Sequence, residues 1–129
     1  MYFWIKITAL KIVAMIPARY NSERLPGKLM MDLNGKSVIA TTLENTINTN
    51  LFDSVYVITD SQVIHDHLKQ FHQDVLISKK KHISGSDRIA EFAQEMDVDI
   101  IINVQGDEPF IDTKSLKKLI NVFCNDYKK

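Results

Sequence analysis

Three short segments of this 129-residue chain carry residue types suited to a phosphorylated ligand. Residues 17–28 read PARYNSERLPGK and set Arg19, Arg24 and Lys28 in one loop, with Pro26-Gly27 to turn the chain. Arginine forks phosphate oxygens and lysine supplies a point charge, so three such cations beside exposed backbone N–H groups suit a polyphosphate. The same residues also suit a solvated surface loop in which Glu23 pairs with one arginine. Residues 103–109, NVQGDEP, end an apolar run in adjacent carboxylates, Asp107 and Glu108, held between Gly106 and Pro109. Carboxylate oxygens are hard ligands for Mg²⁺, an ion that keeps waters and takes its other ligands from substrate phosphates. Asp107 is thus placed to meet a triphosphate held by the first loop; the alternative is an ordinary turn with solvated acids. The third segment, SGSDR at residues 84–88, joins a flexible turn, small hydroxyls and one cation at an expected helix start. Taken alone it reads as a capping loop, with Ser86 or Asp87 as the cap and Arg88 exposed.

Positioning such segments requires a scaffold, and the sequence pattern supplies one. Apolar, β-branched runs at residues 11–16, 54–59 and 99–104, with a weaker one at 74–77, suit strands buried on both faces. Stripes of helical period lie between them. Val38, Ile39, Thr42, Leu43, Thr46 and Ile47 form the first, with Ser37 placed to cap it. Val63, Ile64, Leu68 and Phe71 follow Ser61; Ile89, Phe92, Ala93 and Met96 follow Ser86, a candidate cap; Leu116, Leu119, Ile120 and Phe123 follow Asp112. Strand and helix alternate four times, which predicts an α/β fold with a mainly parallel sheet and helices on both faces. Ligands of such sheets bind beyond the carboxyl ends of the strands, where each of the three segments falls.

Composition narrows the function classes. The chain is 45% hydrophobic and 25% charged, as expected of one packed domain. Sixteen Lys+Arg balance sixteen Asp+Glu, which excludes nucleic-acid binding driven by bulk charge. Cys124 is the single cysteine and cannot form an internal disulfide, so a reducing cytoplasm is the expected compartment. Residues 1–16 are mostly apolar, but Lys6 and Lys11 interrupt them and Pro17 ends the run short of the about 20 residues that span a bilayer. Residues 1–10 are therefore expected to be an extension or an extra strand ahead of a domain at 11–129. Gly35-Lys36-Ser37 before a helix mimics the end of a P-loop, yet Met30 stands where that motif needs its first glycine. His65 and His67 fall on different helix faces and share no metal site. His82 reads as a surface residue, Cys124 as packing, and Met30-Met31 as core filling.

Together, IPARYNSERLPGK, SGSDR and NVQGDEP, in this order and spacing, resemble the 3-deoxy-manno-octulosonate (Kdo) cytidylyltransferases, the CMP-Kdo synthetases of Gram-negative lipopolysaccharide synthesis. The likeness spans residues 12–111. NVQGDEP is its most discriminating part, while IPAR-x-x-S-x-R-LPGK is shared with related sugar nucleotidyltransferases. The resemblance implies a nucleotide-diphospho-sugar transferase (Rossmann-like) fold and a homodimeric cytoplasmic enzyme. That enzyme would make CMP-Kdo and pyrophosphate from CTP and Kdo with Mg²⁺. By the same resemblance Arg19, Arg24 and Lys28 hold the triphosphate, with Pro17, Ala18 and Ser22 in the same loop. Ser86, Asp87 and Arg88 shape the nucleotide pocket, Gln105 faces the base or the sugar, and Asp107 ligates Mg²⁺. Arg19, Lys28 and Asp107 are the expected catalytic groups, acting by positioning and charge neutralisation without a protein nucleophile. The chain departs from the family in having Ser86 where Thr is usual and Ser37 where Pro is usual. Family members continue well past Lys129, so this chain is expected to be their N-terminal, nucleotide-binding part, with an incomplete sheet and one of two metal carboxylates. Two alternatives remain at this point: a remnant that at most binds nucleotide, and a cytidylyltransferase for another acidic sugar.

Overall fold

The computed structural model of the chain describes residues 10–21, 25–78 and 85–128. Along the chain run β1 (Ile12–Ala18), a 3₁₀ turn (Lys28–Met30), β2 (Asp32–Leu33), β3 (Lys36–Ser37) and α1 (Val38–Asn48). These are followed by β4 (Ser54–Thr59), α2 (Gln62–Lys69), β5 (Val75–Ile77), α3 (Gly85–Ala93), β6 (Ile100–Asn103) and α4 (Thr113–Lys128). The main sheet is parallel, in the order β5-β4-β1-β6. Central β1 is buried from Val13 to Ala18 because strands flank it and helices cover both its faces. Alternation of side chains sorts its residues. Ala14, Ile16 and Ala18 face α1, α2 and α4, meeting Ile39, Leu43, Ile64, Leu68 and Ile120. Val13 and Met15 pack with Ile58 on the other face, against Ile89 and Phe92 of α3. Leu43, Ile64 and Leu68 are at most 1% exposed, and burial of each contributes about 2 kcal/mol. The predicted layer architecture is therefore observed.

Local chemistry sets the element ends. The Asp53 and Asp99 carboxylates accept from the Ile12 and Lys11 amides, both at 2.7 Å, and so fasten the start of β1 to both neighbouring strands. Ser37 caps α1 by accepting from Ala40 N at 3.1 Å, Ser61 caps α2 through Ile64 N at 3.2 Å, and Asp112 caps α4 through Ser115 N at 3.2 Å.

Several expectations need correction. Ser86, expected just ahead of α3, lies within the first turn of a helix that begins at Gly85. Met96 falls after that helix, in a following turn, although it still packs with Ile89 and Phe92. Pro17 and Ala18, expected in a loop, finish β1. Proline is tolerated there for a definite reason. Lys11 and Met15 give their carbonyls to Ile100 N and Val104 N, so Pro17 also faces β6, whose last residue, Asn103, pairs with Met15. No ladder bond is lost. Ile47, Val63, Phe71, Leu119 and Phe123 are exposed, because they sit at the margins of their stripes rather than on the rows facing the sheet. Met31 is likewise exposed, leaving Met30 alone to pack against the core. The β2–β3 hairpin was not anticipated. Asn34 and Gly35 take positive φ values of 55° and 95°, the conformation that an Asn-Gly turn supplies. The expected extension at residues 1–10 lies outside the described residues except for Leu10.

Candidate functional site

The strand order reverses between β1 and β6, which opens a crevice at their carboxyl ends. Two loops are brought together there. In the first, Gly27 takes a φ of 75° and donates its amide to Tyr20 O at 2.7 Å, closing the loop. A side chain at Gly27 would have to adopt that left-handed conformation and press on the Tyr20 ring, hence the glycine. Lys28 then opens the 3₁₀ turn, which buried Leu29 holds against the core. The second loop leaves β6 with Val104 N bound to Met15 O at 3.0 Å. Gly106 passes so close that a Cβ would lie 3.1 Å from Pro17 O and 3.2 Å from Ile39 Cδ1. The Thr42 hydroxyl of α1 donates to Gly106 O at 2.8 Å, and Asn45 Nδ2 donates to Pro109 O at 2.5 Å. These contacts fix the backbone on both sides of Asp107. Its carboxylate lies 3.3 Å from Lys28 Nζ, across 79 residues of chain, and both side chains are nearly half exposed.

A second pair lies at the end of β4. Asp60 follows the strand, where Ser61 N donates to Thr59 Oγ1 at 3.1 Å. The first half of α3 delivers Arg88, whose Nη2 donates to Asp60 Oδ2 at 3.3 Å. Arg88 is 1% exposed, and its Nε and Nη1 have no hydrogen-bond partner among the described residues. An unsatisfied donor on a buried cation costs more than a neutral one, so a site that keeps two is prepared for an acceptor from outside. A cleft of about 460 Å³ adjoins it, lined by Arg19, Tyr20, Asn21, Asp60, Ser61, Val63 and Arg88.

The anticipated residues therefore fall into groups. Arg19 and Arg88 share the cleft, while Lys28 and Asp107 meet at the β1/β6 crevice. The reading of Arg88 as an exposed residue of a capping loop is overturned, because α3 turns it inward against the sheet. Pro17 and Ala18 are buried and shape the strand end. Asp87 is exposed. Gln105 is exposed too and reaches Asn103 Oδ1 at 3.4 Å. Ser22 and Arg24 lie outside the described residues, as does His82. His65 and His67 have separate partners, Asp66 and Ser37, as their spacing implied. Asp60, Tyr20, Asn21, Ser61 and Val63 join the cleft without a motif in the sequence that marks them. A carboxylate directly after an apolar strand was the available signal at Asp60.

A hard divalent cation fits this donor set through one carboxylate. Asp107 is accessible, rigidly held, and already faces a cation, but no cluster of three metal-binding side chains occurs among the described residues. An ion held by Asp107 would complete its shell with waters and ligand phosphates, as Mg²⁺ commonly does.

Comparison with known proteins identifies the family and the fold. The family described as Cytidylyltransferase matches residues 13–128. The 3-deoxy-manno-octulosonate cytidylyltransferase of Christiangramia forsetii is 63% identical over 113 residues, covering 88% of this chain and 46% of the relative. Its counterpart in Flavobacterium johnsoniae is 52% identical over 117 residues, covering 91% and 48%. The solved structure of a CMP:2-keto-3-deoxy-manno-octonic acid synthetase complexed with CTP superposes with a TM-score of 0.84 at 35% identity, covering 90% of this chain and 48% of that one. The chain spans about half the length of the curated relatives it matches.

Proposed function

The chain belongs to the cytidylyltransferase family, and from that premise we propose that it supplies the CTP-binding part of an enzyme that activates Kdo. The reaction joins Kdo to CTP, giving CMP-Kdo and pyrophosphate. The anomeric hydroxyl of Kdo attacks the α-phosphorus in line, one P–O bond forms, and the bond to the leaving pyrophosphate breaks. The observation that carries this reading is the contact between Lys28 and Asp107, which brings the cation loop onto the carboxylate at the end of β6. Arg19 and Lys28, with Arg24 and Ser22 of the same sequence segment, neutralise the triphosphate and hold it for attack, beyond the strand end that Pro17 and Ala18 shape. Asp107 holds Mg²⁺, which supplies charge neutralisation and orientation of the phosphates when bound. Arg88 receives the nucleoside in the cleft, with Ser86 and Asp87 on the same helix, and Gln105 lies where the base and sugar must pass. A protein nucleophile is not needed, since positioning and electrostatics lower the barrier to phosphoryl transfer.

The reading extends to the setting. Residues 11–129 form the nucleotide-binding part of the domain, and the full enzyme works as a cytoplasmic homodimer. A lone cysteine suits a reducing compartment, and no helix among the described residues is long and apolar enough to cross a membrane. Calorimetric titration with CTP, with and without Mg²⁺, tests the binding function. CTP should bind more tightly with Mg²⁺, and Asp107→Ala should remove the difference. A chain that binds no CTP would overturn the proposal. Turnover is tested by replacing the matching segment of the Christiangramia forsetii relative with residues 11–111 and following pyrophosphate release from CTP, Kdo and Mg²⁺. The hybrid should turn over, and a folded but silent hybrid would contradict the assigned reaction.

A further inference from the structure

We infer that Asp60 is the positioning residue of a nucleoside subsite, separable from the phosphate subsite at Lys28 and Asp107. The inference rests on the nucleotide-binding reading above but concerns a residue outside the three motif segments. Arg88 is a rigid planar fork with five N–H donors and cannot shed its charge. Only Asp60 contacts it by hydrogen bond or ion pair among the described residues, through Nη2 at 3.3 Å. Among the described residues Nε and Nη1 have no hydrogen-bond partner, although Arg88 is 1% exposed. The Asp60 contact on Nη2 and the close packing around the buried side chain together restrain the plane of the guanidinium and so orient its remaining donors. Asp60 is itself held: the Thr59 hydroxyl binds Ser61 N directly after it, and the Ser61 hydroxyl caps α2. The carboxylate is nearly half exposed and lines the same cleft as Arg88 and Arg19.

The chemistry that this arrangement recognises is a neutral, acceptor-rich planar group, such as the ring nitrogen and carbonyl edge of a pyrimidine. A phosphate would gain from the cation but would also face the Asp60 carboxylate, and the exposed cation Lys28 is available elsewhere. The two subsites should therefore read different halves of one ligand. The base goes to Arg88 as oriented by Asp60, and the phosphates go to the Lys28 loop.

Titrating the full chain with CTP and with inorganic tripolyphosphate in parallel tests this. Asp60→Ala should weaken CTP binding at least about tenfold, the loss expected when hydrogen bonds from a charged group are misplaced. Tripolyphosphate binding should stay within about twofold, since Asp60 pairs with Arg88 whereas Lys28 pairs with Asp107. Asp60→Asn, whose side-chain oxygen can still accept from Nη2, should recover part of the loss. Should Asp60→Ala fail to fold, Arg88→Lys carries the same expectation, because it keeps the charge and removes the fork. Equal weakening of CTP and tripolyphosphate, or unchanged CTP binding, would overturn the inference. The functional reading fails differently. In that case the unaltered chain would bind CTP no better than tripolyphosphate, and the nucleoside subsite would fall with it.

Discussion

Two cation–aspartate pairs stand at the strand ends with the same N···O separation of 3.3 Å, yet they are different devices. Lys28 and Asp107 are each nearly half exposed, whereas Arg88 is 1% exposed and Asp60 is open to the cleft. An exposed pair contributes about 0–1 kcal/mol and exchanges partners readily. A buried cation with unfilled donors is held at a standing cost that a ligand relieves. The difference teaches that equal distances can mark opposite functions. On the proposed reading, the open pair lets each member turn to incoming phosphate or cation, and the closed pair holds a donor set for a base.

Removing the buried member should have the largest effect. Arg88→Met should lower CTP affinity at least about 100-fold, since two charge-assisted hydrogen bonds are lost. The same variant should raise unfolding stability by about 1–3 kcal/mol in denaturant titration, because the orphaned donors are gone. Loss of both binding and stability would break the contrast.

Gly106→Ala comes next and probes how the open pair is held in register. Its Cβ would meet Pro17 O at 3.1 Å, a backbone atom of the buried central strand. Overpacking there should cost about 1–3 kcal/mol and displace Asp107, weakening Mg²⁺-dependent CTP binding as well. Lys28→Met should change stability by no more than about 0.5 kcal/mol while lowering tripolyphosphate affinity about tenfold. A large stability loss would mean that the open pair is structural after all.

The smallest effect lies away from both pairs, at the start of α4. Hydrogen bonds from the Ser115 hydroxyl, and secondarily its amide, hold the exposed Asp112 carboxyl below its ordinary 3.8. A lowered carboxyl stabilises the folded state fully above its unfolded value, and that contribution is lost as pH falls through the lowered one. The helical signal of Asp112→Ala should therefore lie below that of the unaltered chain near neutrality and converge with it in strong acid.

The sheet was legible because β1, β4 and β6 are continuous apolar runs, although β6, at the edge of the four-stranded sheet, is only partly buried, and because Ser37, Ser61 and Asp112 announce helix starts. Lys28 and Asp107 were legible because their loops carry their chemistry within a few residues of sequence. Asp60 and the burial of Arg88 were not. They lie 28 residues apart, and their meeting depends on how α3 returns to the end of β4, which no local pattern encodes. The β2–β3 hairpin was passed over for a different reason. Gly35-Lys36-Ser37 mimics a phosphate loop in sequence, and that likeness masks the turn that Asn34-Gly35 encodes.

The most direct test of the contrast is a nuclear magnetic resonance titration of the ¹⁵N-labelled chain that follows the Arg88 Nε–H and Lys28 Nζ signals. CTP should move both signals, while tripolyphosphate should move Lys28 alone. If CTP left Arg88 unmoved, or tripolyphosphate moved it as far as CTP did, the division of the site between a buried nucleoside fork and an open phosphate pair would be contradicted.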